Sequence, residues 1–167
     1  MPPVPTEDTV PGGIPLLDEI ATEVPDPGSN EVVIITGCSG AGRTGAARAL
    51  EDLDWYVVDN LPPAMLPALV GMMSPDGGGV HRLAVVVDVR SREFFADFAR
   101  SLEQLRELGV TYRVFFLEAS TDTLVRRYES NRRPHPLQGD GTLLEGIHAE
   151  ARALAPVRRA ADVVIDT

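Results

Sequence analysis

Eight consecutive residues, Gly37, Cys38, Ser39, Gly40, Ala41, Gly42, Arg43 and Thr44, follow directly on the apolar run at 32 to 36. The phosphate-cradling pattern G-x-x-x-x-G-K-[ST] is met at Gly37, Gly42 and Thr44 and departs at Arg43, which stands in the lysine position. The spacing has a physical purpose. Glycines let the backbone curl until successive N–H groups point inward, and the helix that follows adds the positive end of its dipole. The amides of residues 40 to 44 are therefore the expected phosphate cradle, and the Thr44 hydroxyl is placed to meet magnesium. Arg43 retains the cation, but a flat, forked guanidinium does not slip between β- and γ-phosphates as a compact ammonium does. Phosphate binding is favoured over fast phosphoryl transfer. All 15 basic residues are arginine, so Arg43 reflects a chain-wide bias as much as a local choice.

A second signature is the strand-like run Leu83-Ala-Val-Val-Val-Asp88. It delivers a carboxylate where ligands gather in open parallel sheets, beyond the carboxyl ends of the strands. Thr44 and Asp88 form the candidate magnesium pair, directly or through water, and Arg43 and Asp88 are the candidate catalytic pair. An acid in this position equally serves as a helix cap or turn former, and for Asp59 and Glu118 that reading leads. Asp166 also ends an apolar run.

Arg126, Arg127, Arg132 and Arg133 fall within eight residues, followed by His135 and a Pro/Gly-rich stretch at 134 to 141. In small-molecule kinases a mobile lid closes arginines over the phosphates and expels water, which makes Arg132 and Arg133 candidate nucleotide contacts. The alternative is a solvated arginine face. His135 shapes the loop in this reading, and His81 and His148 have no partner in sequence. Cys38 has no paired His or Asp and reads as a small loop residue. Gly40-Ala-Gly42-Arg-Thr-Gly45 also satisfies G-x-G-x-x-G, with Asp59 19 residues beyond Gly40. A dinucleotide fingerprint needs its first glycine right after the strand, however, and here Gly37-Cys-Ser intervenes.

The elements that must position these residues alternate. Strands are expected near 31 to 36, 55 to 59, 83 to 88, 112 to 117 and 162 to 166, with helices between them, the signature of stacked βαβ units. One helix begins at Gly42 or Arg43 and reaches Leu53, a second starts after Pro63, a third follows Ser91, and a fourth covers 121 to 132. The fifth opens on the capping-box pattern Thr142-Leu-Leu-Glu145 and is expected to kink or break at Pro156. Phe94, Phe95, Phe98, Leu102, Leu105 and Leu108 recur at helical steps and are expected in the core. The predicted fold class is α/β, a three-layer sandwich around a five-stranded parallel sheet.

Residues 1 to 30 are proline-rich and hold six acids and no base, which leaves 19 acids against 15 arginines in the rest. They are expected to form a disordered acidic leader, with a weak turn of helix at 16 to 21, ahead of a nucleotide-binding domain at 31 to 167. Gly77, Gly78 and Gly79 read as a flexible surface connection. A general nucleic-acid footprint needs a basic domain, which this is not. No apolar run of membrane-spanning length is present. The single cysteine and the absence of a signal-peptide pattern place the chain in a reducing cytoplasm. The chain stops as the fifth strand ends, without the helix that would cover the sheet, so a continuation past Thr167 is expected.

The segments at 37 to 44, Ala-Leu-Glu-Asp-Leu at 49 to 53, Val-Asp-Asn-Leu-Pro at 58 to 62, Asp-Val-Arg-Ser at 88 to 91 and Phe-Leu-Glu-Ala at 116 to 119 are taken together as a set. With Arg-Arg-Tyr at 126 to 128, Arg-Arg-Pro-His-Pro-Leu at 132 to 137 and Ala-Asp-Val-Val-Ile-Asp-Thr at 161 to 167, that set resembles the RapZ (YvcJ-like) nucleotide-binding family. The resemblance covers nearly all of residues 31 to 167. It implies an amino-terminal P-loop NTPase domain of kinase-like fold that binds ATP and GTP and has weak ATPase and GTPase activity. It further implies nucleotide contacts in the loop at 37 to 44 and at Asp88, Val89, Arg90 and Ser91, the latter group assigned to GTP. Full members continue into a carboxyl-terminal domain that in some bacteria senses an amino-sugar phosphate and binds small regulatory RNA. A protein or RNA partner is expected only through that domain. The alternatives from the residues themselves are a small-molecule kinase and a binding-only nucleotide sensor.

Overall fold

A computed structural model describes residues 30–73, 80–89, 92–132 and 134–167. The expected leader, the turn at 16 to 21, the three glycines at 77 to 79, and Arg90, Ser91 and Arg133 lie outside the described residues. The first strand, β1 (Glu31–Gly37), is the centre of the sheet because its run of β-branched residues is apolar on both faces. It pairs in parallel with β3 (Arg82–Val87) on one side and β4 (Tyr112–Glu118) on the other. β2 (Tyr56–Leu61) and β5 (Val163–Asp166) form the edges, giving the all-parallel order β2-β3-β1-β4-β5. All five expected strands are present, with ends shifted by one or two residues. Burial follows position: β1 and β3 are almost wholly enclosed, while the edge strands leave most side chains half or fully exposed.

The helices are α1 (Arg43–Asp52), α2 (Leu66–Gly71, entered by a 3-10 turn at Pro63–Met65), α3 (Arg92–Glu107), α4 (Thr121–Asn131) and α5 (Leu143–Ala160). Ser120 caps α4 by accepting from the Thr123 amide, and Thr142 and Glu145 form the expected capping box at the start of α5. The helix–sheet core includes Ile34, Ile35, Leu66, Leu83, Leu105, Phe116 and Leu117, each at 2% exposure or less. At roughly 1.5–3 kcal/mol per fully buried large side chain, this central layer dominates what holds the fold together.

Two expectations are corrected. α5 is continuous through Pro156, so the break expected there, as the alternative to a kink, does not occur. Leu154 and Val157, on either side of the proline, are buried at 2% each, and their packing offsets the hydrogen bond the ring removes. In α3, Phe98, Leu102 and Leu105 reach the core, but Phe94 and Leu108 are 38% and 65% exposed. Periodicity identifies the inward stripe, whereas its two ends overrun the sheet that the helix covers. No helix among the described residues is long and apolar enough to cross a membrane.

Candidate functional site

The loop between β1 and α1 begins at a glycine for a steric reason. A Cβ on Gly37 (φ 142°) would overlap the backbone of Leu117 on β4, with which Gly37 is paired. The Cys38 amide continues the pairing by donating to the Leu117 carbonyl at 3.0 Å. Gly42 (φ 93°) is the N-cap of α1, in the left-handed region that few other residues adopt.

Between these two glycines the loop is gripped from behind. The Ser39 amide and hydroxyl both donate to Glu150, the hydroxyl at 2.7 Å. Arg127 Nη1 donates to the Gly40 carbonyl at 2.8 Å, and Thr167 Oγ1 donates to the Ala41 carbonyl at 2.8 Å. With the carbonyls drawn back, the amides of Gly42, Arg43, Thr44 and Gly45 donate to no acceptor among the described residues, whereas the Ala41 amide, expected in the cradle, is spent on the Cys38 carbonyl at 3.1 Å. Unpaired amides at a helix start, with the dipole behind them, form an anion-binding arrangement.

Arg43 and Asp88 meet across the mouth of this loop, Nη1 to Oδ1 at 3.4 Å, with side chains 17% and 14% exposed. The cation expected to face phosphate and the acid expected to face magnesium therefore neutralise each other here. Thr44 is exposed on the first turn of α1, and Val89 is buried directly after Asp88. Arg132 is exposed at the C-cap of α4 in a left-handed conformation (φ 51°). Arg126 folds back on its own helix, donating to the Asp122 carbonyl. Arg127, grouped by sequence with the lid, instead braces the loop and reaches Thr167.

Cys38 lies in the loop, yet its thiol is pushed up to about 11, first by burial and then by the charges of Glu150 and Glu118. Glu118 holds a forked pair with Arg158 at 2.6 and 2.9 Å, and that hydrogen bonding lowers its pKa below the usual carboxylate value. Its carbonyl accepts from Thr167. Glu118 thus fastens β4 to α5 and to the end of β5. Asp59, expected to end the second strand, is exposed inside β2, which continues to Leu61.

Sequence reasoning missed Glu150, Thr167 and the bracing role of Arg127. A signal for Glu150 existed. Gly146, Ile147, Glu150, Leu154 and Val157 form one buried face of α5, so the acid sits inside an apolar stripe.

A family model described as the RapZ-like N-terminal domain matches residues 30–167. The chain belongs to the RapZ-like N-terminal domain family. A protein of Thermobifida fusca (strain YX) named a nucleotide-binding protein is 58% identical over 137 residues, which cover 82% of this chain and 47% of the relative. Another so named, from Renibacterium salmoninarum, is 56% identical over 141 residues, covering 84% of this chain and 46% of its own length. This RapZ-like chain thus spans about half the length of the curated relatives it matches. Among solved structures, shikimate kinase from Acinetobacter baumannii in complex with shikimate superposes with a TM-score of 0.56 at 16% identity, over 83% of this chain and 84% of that one. At that identity the likeness shows the fold, an α/β P-loop fold of the kinase type.

Proposed function

We propose that the chain binds ATP or GTP with magnesium in the cytoplasm and hydrolyses it slowly at most. The observation that carries this reading is the set of unpaired amides of Gly42, Arg43, Thr44 and Gly45, held open by carbonyls tied elsewhere. The names of the relatives point the same way. Phosphates would lie against these amides, with Arg43 turning from Asp88 to the anion. No group of three or more His, Cys, Asp or Glu side chains among the described residues is arranged to hold a metal. Magnesium suits such a site, because it keeps waters and takes one or two protein ligands beside the phosphate oxygens. Thr44 and Asp88 would supply those two.

Binding is favoured over turnover. Arg43 lacks the compact ammonium that threads between phosphates, and its charge is shared with Asp88. In a protein as long as these relatives, about twice this chain, such a domain would report nucleotide state to the remainder, where any protein or RNA partner would bind.

Titration calorimetry with ATP and GTP, each with magnesium and with chelator, tests the reading. Thr44→Ala is expected to weaken magnesium-dependent binding roughly tenfold and leave metal-free binding unchanged. Equal loss in both conditions would remove the metal role, and no binding by the unmodified chain would reject the nucleotide reading. Phosphate release at a rate far below that of kinases separates slow hydrolysis from pure sensing.

A further inference from the structure

Glu150 is a buried acid, 3% exposed, in a helix face otherwise made of Gly146, Ile147, Leu154 and Val157. Leucine would suit that face better, because a carboxylate taken out of water costs several kcal/mol unless its oxygens are satisfied. Both oxygens are spent on one residue, Ser39, 111 positions away in the chain. The Ser39 amide donates to Oε1 and its hydroxyl to Oε2. His135, itself 3% exposed, lies beside the acid: its Nδ1 accepts from the Leu137 amide, and its Nε2 sits 3.5 Å from Glu150 Oε1 without a hydrogen-bond partner among the described residues.

What this arrangement fixes is a single peptide plane, the one between Cys38 and Ser39. Its N–H points back into the protein towards α5, and the loop reverses only afterwards, at Gly40 (φ 85°) and Gly42 (φ 93°). A carboxylate beside a phosphate site works against anion binding by its charge. Geometry is what it contributes.

We infer that Glu150 is a positioning residue of the phosphate loop: by clasping both donors of Ser39 it sets the loop in the form that leaves the later amides for an anion. This rests on the nucleotide reading above. The clasp selects among replacements in a way that mere filling of the core does not. Glutamine keeps the shape, and its oxygen accepts from the Ser39 amide while its NH2 donates to the hydroxyl, which accepts as readily as it donates. Leucine fills the space and releases the loop.

Affinity for magnesium–ATP and magnesium–GTP is measured by calorimetry on the whole chain, alongside thermal unfolding. Glu150→Leu is expected to lose at least about tenfold in affinity while it still unfolds cooperatively, its melting temperature lowered no more than that of Ser39→Ala/Glu150→Leu. Glu150→Gln should stay within about threefold of the unmodified chain. Ser39→Ala, a mild change that keeps the amide, should weaken binding several-fold alone and add nothing in the Glu150→Leu background, because the two side chains act as one unit. Should Glu150→Leu fail to fold, the comparison of Ser39→Ala with the unmodified chain decides, since equal affinities of the two would overturn the clasp. Glu150→Leu binding as tightly as the unmodified chain overturns the positioning role alone. An unmodified chain that binds neither nucleotide overturns both readings.

Discussion

Cys38 sits where a thiol is often activated, at a loop leading into a helix start, yet burial and two acids hold its pKa near 11. At pH 8 only about a thousandth of it is thiolate. Iodoacetamide labelling followed by mass spectrometry is therefore expected to proceed far more slowly at Cys38 than at a free cysteine, and labelling at the free rate would disprove the burial. This is also the scale at which the sequence was most and least legible. The loop at 37 to 44 was visible because its residues are contiguous and their spacing is dictated by backbone curvature. Asp88 was visible because it ends an apolar run, and the structure brings it to Arg43. Glu150 was not, since a lone acid in a helix reads as surface and its partner Ser39 lies 111 residues away. Arg127 was misleading for a related reason. A cluster of arginines gives a count, while the direction of each depends on where the helix lies on the sheet.

Elements were read well in kind and less well at their ends. Alternating strand and helix patterns gave all five strands, whereas Phe94 and Leu108 show that a helical stripe does not announce where its covering layer stops. Pro156 shows the converse, a local breaker overruled by packing on both sides. The capping box of α5 was legible because it is local chemistry. Thr142 Oγ1 accepts from the Glu145 amide at 3.2 Å, and Glu145 Oε2 accepts from the Thr142 amide at 2.9 Å. Thr142→Ala is expected to lower stability by about 1 kcal/mol in urea unfolding, and an unchanged midpoint would mean that the box is not held in solution.

Across the whole molecule, distant elements are fastened by a few polar contacts near the candidate site. Arg158 on α5 clasps Glu118 on β4, and the carbonyl of that same residue receives Thr167 after β5. Because Arg158 holds the Glu118 pKa below its ordinary value of 4.5, the contribution to stability is complete above that value and is lost as pH falls through the lower, folded-state value. The pair is solvent-screened, so its effect is modest. Glu118→Gln is expected to lower the urea midpoint at pH 7, with the gap closing as the solution is acidified below 4.5. A gap that widens on acidification would reverse the assignment.

Thr167 joins the outermost strand to the Ala41 carbonyl. A four-residue strand paired on one side only opens more often than the strands inside the sheet. Each such opening would free that carbonyl, so the shape of the loop depends on fraying at the rim of the sheet, long before global unfolding becomes relevant.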